Sequence, residues 1–379
     1  MIIVLAILLV ILFAPEAYMY FSFIAQTSWG IKLLYYVPIL LVGLAIVLIL
    51  NEDNQTIKFR HLGIAVTILI CMQLPKLLLT VCSLLGRLFT LFGFSIVPFN
   101  IAGLVLGGAL IGFLIYGIWN VFSFQVNKVD FVSPKVPDAF NGYKIVHLSD
   151  IHIGSWNRNG KKLEEAVRLI NDQHADAIFF TGDLVNNLSE ELEPFKSILG
   201  KLQAPDGIYS VLGNHDYASY VHYDSAKAVR ELIATERAMG WHLLLNEHTT
   251  ISRNGDSIAV IGVENQGKYP FPHLGDLPKA SAGTESMFRI LLSHDPTHWT
   301  EEVLPRTDIP LTLSGHTHAS QIDFPWFSPS KSLYPENRGL YVQGNQSLYV
   351  NVGLGYTFFP IRIGNAKPEI TVITLKKGN

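Results

Sequence analysis

Seven residues able to bind a metal ion, with one further histidine, recur along this chain in small groups. They are Asp150-x-His152, Gly182-Asp183, Gly213-Asn214-His215-Asp216, His294 and Gly315-His316-x-His318. Each group directly follows a short apolar run of strand-like composition. In an open α/β sheet, ligands bind beyond the carboxyl ends of the strands. Five such loops therefore converge if the strands lie side by side. Carboxylate and neutral imidazole suit borderline transition metals, and an amide adds an oxygen donor. Asp183, central in the series, is the natural carboxylate to bridge two ions. Two ions held close together lower the pKa of a shared water and clamp a phosphoryl oxygen, so that the bound hydroxide attacks phosphorus in line. His215 stands beside a ligand without being needed as one, and is the candidate to give the leaving alkoxide its proton. The glycines at 182, 213 and 315 would let the backbone turn tightly beneath the ions.

Taken singly, none of these residues carries that reading. His152 alone is a loop histidine, Asp183 a helix cap and Asn214 a turn residue. His316-x-His318 on an extended segment only shows two rings on one face. The weight lies in five such groups, in order, each after a strand.

The elements that must position them follow from periodicity. Residues 143–148, 177–181 and 207–212 read as strands. Residues 161–173 read as an amphipathic helix with Leu163, Val167 and Ile170 on one face. Further helices are expected around 189–202 and 225–239. Strands at 249–253 and 257–262 flank Asn254-Gly255, a hairpin turn. Strands at 289–292, 311–313, 340–343, 347–351 and 369–375 follow. A βαβαβ start with a β-rich finish predicts two packed sheets flanked by helices.

The first third is different. Residues 1–127 hold five basic and three acidic side chains, leaving 23 basic and 28 acidic in the rest. The stretches 31–50, 62–81 and 101–121 are long and apolar enough to span a membrane. A first span would run from the amino terminus to about residue 24; no Lys or Arg precedes it, which disfavours a signal peptide. Residues 84–99 read as interfacial or re-entrant. The expected organisation is a transmembrane helical region of about four helices over 1–127 and a catalytic domain over 128–379. Four spans place Lys58 and Arg60 on the same side as Lys128, Lys135 and Lys144, which points to a cytoplasmic catalytic domain. Cys71 and Cys82 lie within the oily third and imply no disulfide framework. The acidic balance of residues 128–379 argues against nucleic acid as a partner, but not against a phosphate ester, since bound ions supply positive charge.

The motif series D-x-H, G-D, G-N-H-[DE], H, G-H-x-H, spanning about residues 143–319, resembles the calcineurin-like metallophosphoesterase superfamily. Within it the chain looks like the bacterial membrane-anchored branch, which the ending Gly353…Pro360-Ile361-Arg362…Pro368-Glu369-Ile370 also resembles. The resemblance implies a four-layered α/β/β/α sandwich with a dinuclear site, in a bacterial inner-membrane protein. It implies that Asp150, His152, Asp183 and His318 hold one ion, that Asp183, Asn214, His294 and His316 hold the other, and that His215 is the proton donor. The ions in such proteins are Mn, Fe, Zn, Ni or Mg in various pairs. Two departures stand out: Asn186 replaces a common acid, and Ala319-Ser320 replaces a common Gly-Gly before Gln321.

Other residues admit two roles. Tyr217, Tyr220, His222 and Tyr223 form either an aromatic wall for substrate or surface packing. Arg362 is either a phosphate contact or an exposed or ion-paired arginine. Phe324, Trp326 and Phe327, in a Pro-rich loop over 322–337, either face a bilayer and admit a lipid-linked phosphate or fold on their own core. The expected activity is phosphoester hydrolysis beside membrane lipid. Its rivals are a pyrophosphohydrolase acting on a nucleotide-linked lipid, and a membrane receptor or scaffold that only binds. The sequence does not fix the oligomeric state.

Overall fold

The computed structural model describes residues 13–156, 159–221 and 224–378. They form two compact units: one reaches Ile118 and includes Phe358–Pro360, and the other holds Trp119–Thr357 with Ile361 onward.

The first unit is helical. Among the described residues, three helices are long and apolar enough to cross a membrane: α1 (Trp29–Leu50), α2 (Gln55–Thr90) and α3, Val97–Trp119, extended by a 3-10 turn to Phe122. The first expected span falls largely on residues 1–12, outside the described residues; residues 13–24 are helical. Within the stretch expected to be interfacial or re-entrant, 84–99, a turn precedes α3 at Val97, and α2 runs to Thr90 without a break. Its polar side chains are satisfied within the bundle, which lets the helix continue. The Arg87 Nε donates to the Tyr18 hydroxyl at 2.8 Å, and its Nη2 to Ser22 Oγ at 3.0 Å. Lys76 pairs with Glu16, whose carboxylate also accepts from Gln73 at 2.8 Å and from the Tyr35 hydroxyl. An apolar medium tolerates such charges only when they are paired in this way.

The second unit is a four-layered α/β/β/α sandwich. Its strands are β1 (Gln125–Ser133), β2 (Lys144–Leu148), β3 (Ala177–Phe180), β4 (Ile208–Ser210), β5 (His242–Leu243), β6 (Glu247–Arg253), β7 (Asp256–Gly262), β8 (Phe288–Leu292), β9 (Leu311–Ser314), β10 (Ile322–Asp323), β11 (Gly339–Gln343), β12 (Gln346–Val350), β13 (Ile363–Gly364) and β14 (Glu369–Lys377). One six-stranded sheet has the order β1-β14-β2-β3-β4-β5 and the other β11-β12-β9-β8-β7-β6, with a short β10–β13 pair beside them. The period-2 alternation of side chains sorts three apolar layers. Ile145, Phe179, Ile258, Val260, Ile290, Leu292, Leu313 and Ile373 meet between the sheets. Val146, Leu148, Ile178 and Phe180 face outward from the first sheet against Leu163, Val167 and Ile170. Ile261, Leu291, Leu348 and Val350 face outward from the second, against Trp299 and Val303.

The expected helix at 161–173 is present as Gly160–Asn171, capped by the Asn159 side chain. The expected hairpin is β6–β7. The helix expected over 189–202 is replaced by a 3-10 turn at Ser189–Leu192 and a short helix at Lys196–Leu199. Pro194 cannot donate a helical hydrogen bond and clashes with the preceding turn. The Glu191 carboxylate is instead drawn inward onto the Asn186 and Asn187 N–H groups at 2.6 and 3.1 Å. β2, β3 and β4 run parallel and adjacent, as do β8 and β9, so five loops leave the same edge of the sandwich.

Candidate metal centre

Those five loops carry the predicted donors, and all seven side chains converge, nearly or fully buried. His318 Nε2 lies 3.2 Å from Asp150 Oδ1 and 3.0 Å from His152 Nε2. Asp183 Oδ2 lies 3.5 Å from His152 Nε2 on one side and 3.2 Å from His294 Nε2 on the other. Asn214 Oδ1 is 3.1 Å from His294 Nε2 and 2.7 Å from His316 Nδ1. Asp183 thus belongs to both clusters. The arrangement fits cations. Asp150 Oδ1 is buried without a hydrogen-bond partner, since the nearby ring nitrogens are off the line of an N–H bond. Two carboxylates, one amide oxygen and four imidazoles are also a donor set for borderline metals.

The backbone that aims these groups is strained. Asp150, His152, Asp183, His316 and His318 all have positive φ, between 44° and 71°. Non-glycine residues in this region cost of order 1 kcal/mol or more each and gather at functional sites. Gly182 has φ 92°, as a turn requires. Gly213 and Gly315 serve differently from the expectation of tight turning: a Cβ on the first would strike Asp183, and on the second Ser149 and Asp150. The departure at Ala319-Ser320 lies on this strained path too, with φ 47° and 54°. Both residues thus hold a left-handed conformation that glycine adopts at less cost.

Electrostatics match the geometry. Burial opposes ionisation of Asp150, yet the His318 ring and the close approach of His152 outweigh it and hold the carboxyl well below the usual range. Asp183 is likewise burdened by burial and brought below its ordinary value by His294, His215 and His152. Burial works against a charged His294, but the Asp183 carboxylate, Asp150 and the Thr181 carbonyl, 2.6 Å from Nδ1, lift the ring to about 10. Burial pushes His215 down to about 4. Its Nδ1 donates to the Asn186 carbonyl at 2.8 Å, which leaves Nε2 as the free nitrogen. Asn186 therefore orients His215 through its backbone, while its side chain donates to Ser155 at 2.8 Å.

Some contributors escaped the sequence reading. Asp216 accepts from the N–H groups of Asp183, Leu184, Val185 and Gly213 at 2.8–3.2 Å. It clamps two ligand loops together; burial and the Asp183 charge push it up to about 7, against the pull of those N–H groups. Among the described residues Arg362 is neither exposed nor ion-paired, which removes the second of its two expected roles. It is fully buried, donates to the Val352 and Ala366 carbonyls at 2.7 and 3.0 Å and to Gly355, and lies 3.0 Å from His318 Nδ1. It braces the loop behind His318. Tyr217 is also no surface wall: it is core, with its hydroxyl on Glu264. His222 and Tyr223 lie outside the described residues. Tyr220 does line the site, its ring 4.5 Å from that of His215.

A cavity of about 690 Å³ opens over the donors. Besides ligand residues and His215, its lining includes Tyr220, Lys268, Phe271, Leu333 and Tyr334. Lys268 is paired with Glu301 at 2.7 Å. The loop beyond β10 displays Trp326 and Phe327, 82% and 56% exposed.

Comparison with known proteins gives a consistent picture. Residues 143–320 match the calcineurin-like phosphoesterase family. An uncharacterized metallophosphoesterase of Bacillus subtilis, YkuE, is 35% identical over 65% of this chain and 84% of its own. A zebrafish transmembrane protein with a metallophosphoesterase domain is 34% identical over 69% of this chain, which spans 60% of that relative's length. A UDP-2,3-diacylglucosamine pyrophosphatase of Chlamydia trachomatis is 27% identical over 61% of this chain and 83% of its own.

Two outcomes are expected. His294 titrates near 10, so it is protonated at neutral pH without an ion, and a ligand nitrogen must be bare. Metal loading near pH 7 should release about one proton from it, with affinity rising roughly tenfold per pH unit. Calorimetry in buffers of different ionisation enthalpy counts that proton, and a count of zero would mean that the ring was already neutral before the ion arrived. Separately, Asp216→Asn leaves backbone N–H groups facing an amide N–H₂. It should lower stability by about 2 kcal/mol or more and reduce bound metal, read by thermal unfolding and elemental analysis. Unchanged values of both would show that the clamp is dispensable.

Proposed function

This chain belongs to the calcineurin-like metallophosphoesterases, hydrolases of phosphoester bonds, and we propose that it is a membrane-tethered enzyme acting on a lipid-linked phosphate through a dinuclear centre. The observation that carries this is Asp183, one buried carboxylate shared by two donor clusters. Asp150, His152, Asp183 and His318 would hold one ion, and Asp183, Asn214, His294 and His316 the other. Such ions, when bound, acidify water and neutralise charge on a phosphoryl group.

The chain's own groups do the rest. Asp216 and the strained turns fix the donors before substrate arrives, so little reorganisation is left for the reaction. His215 presents Nε2 towards the cavity, with Nδ1 tied to Asn186. Its low affinity for a proton in the free site changes when a phosphate arrives, because a nearby negative charge favours the imidazolium. His215 then gives that proton to the leaving oxygen. Tyr220 packs against the same ring at a tilt of 34°, with centroids 4.5 Å apart, and limits its rotation.

Membrane association is supported by the three apolar helices and by relatives named as transmembrane proteins. We place the second unit on the cytoplasmic side of a bacterial inner membrane, on the distribution of Lys and Arg. The lipid-linked substrate is favoured by the exposed Trp326, Phe327, Leu333 and Tyr269, the last two on the cavity wall. A nucleotide-lipid pyrophosphate is the second reading, favoured by the chlamydial relative's named activity.

Chelation should abolish hydrolysis of a nitrophenyl phosphoester, and readdition of metal should restore it. His215→Ala should lower kcat by about 10²–10⁴ with bound metal retained; intact turnover with a raised KM would remove its acid role. The pair Trp326→Ser and Phe327→Ser should reduce hydrolysis of a bilayer-embedded phosphoester by roughly tenfold more than hydrolysis of a soluble one. Equal loss on both substrates would refute contact of this loop with lipid.

A further inference from the structure

Two tyrosine hydroxyls stand behind two donors of one cluster. Asn214 presents Oδ1 to the cluster, and its Nδ2 donates to the Tyr220 hydroxyl at 2.8 Å. His316 presents Nδ1 to the cluster, and its Nε2 lies 2.7 Å from the Tyr334 hydroxyl. Both tyrosines line the cavity. Their environments are otherwise open. Among the described residues no acceptor takes the hydrogen of either hydroxyl, apart from the shared His316–Tyr334 bond. The nearest carboxylate to His316 Nε2, Asp295 Oδ2 at 3.8 Å, is buried and has no hydrogen-bond partner.

Tautomer chemistry then fixes the direction of these bonds. A neutral imidazole has one N–H and one bare nitrogen, and the hydrogen bond at one nitrogen dictates the state of the other. When Nδ1 of His316 is bare towards a cation, Nε2 must carry the proton, so it donates to Tyr334. An amide whose oxygen faces a cation likewise donates through its nitrogen. Each tyrosine oxygen is then an acceptor from a ligand residue, and each O–H hydrogen is released into the cavity. Filling the cluster therefore creates two oriented hydroxyl donors. They sit one side chain further out than the donor atoms, on the cavity wall, where a group next to one held at the centre would lie. Two neutral O–H donors suit an oxyanion in a site whose cavity-lining lysine is engaged by Glu301.

We propose that Tyr220 and Tyr334 form a subsite for a second phosphoryl group, adjacent to the reacting one, and so select pyrophosphate-linked over simple monoester substrates. This rests on the phosphoesterase reading above and assigns a substrate class to the same site. The two tyrosines are specificity residues; neither is required to move a proton.

The test uses the full chain in detergent, loaded with metal, and two probes: inorganic phosphate and imidodiphosphate, which resists hydrolysis. Wild type should bind imidodiphosphate about tenfold or more tightly than phosphate, as expected for two charge-assisted bonds. Tyr220→Phe and Tyr334→Phe should each erode that preference, and the double variant should abolish it, with metal stoichiometry and melting temperature unchanged. A wild type with no preference overturns the proposal, as does a double variant that keeps it. So does a double variant whose metal affinity falls while its preference persists, because the hydroxyls would then only brace the ligands. A preference intact in an enzyme inert on every phosphoester would sink the hydrolase reading and leave the subsite standing; active enzyme without the preference sinks the subsite alone.

Discussion

Two buried carboxylates govern this domain. Asp150 and Asp183 lie in the interior, and neither has a lysine or arginine partner among the described residues. Burying an unpaired charge is among the most expensive things a fold can do. Here the debt is met in part by imidazoles and backbone N–H groups, including the His316 N–H on Asp150 at 2.9 Å and the His215 N–H on Asp183 at 2.8 Å. The remainder calls for cations. The positive φ of five donor residues and the glycines packed against Asp150 and Asp183 exist because two negative groups must be brought close and kept there.

Much of this was legible in the residues. Strand-then-ligand spacing picked out the seven candidate donors that converge, since a strand end fixes where the next few side chains point. Alternation and the Asn254-Gly255 turn gave the two-sheet plan. What stayed hidden shares a physical reason. β1 is a half-exposed strand whose alternate residues Lys128 and Asp130 are exposed and mask its apolar pattern. Tyr334 and Arg362 come from irregular segments whose paths depend on distant packing, so no period announces them. Pro194 was a visible breaker, and the helix expected across it set local propensity against a clear steric bar.

The tie between the two halves of the site is equally a matter of packing. Asp216 joins the loop after β3 to the loop after β4. The Gly315 N–H, donating to the His294 carbonyl at 2.9 Å, joins the loops after β8 and β9 across the second sheet. Sheet-on-sheet contact between Ile145, Phe179, Ile290 and Leu313 sets the distance between those pairs of loops. The geometry of the candidate donor clusters is thus a property of the interface between sheets, and a change in a core side chain far from any of them can alter it.

One topological detail bears on how such a molecule is made. β14 lies between β1 and β2, pairing Gln125 with Glu369 and Thr371 with His147. During synthesis β1 and the edge of β2 must wait for a partner more than two hundred residues downstream, with their main-chain groups unsatisfied. Pairing at such long separation is slow and leaves exposed strand edges prone to association. A nascent chain of this kind is therefore at its most vulnerable just before β14 leaves the ribosome, and chaperone capture of that late intermediate would decide how much active protein a cell obtains.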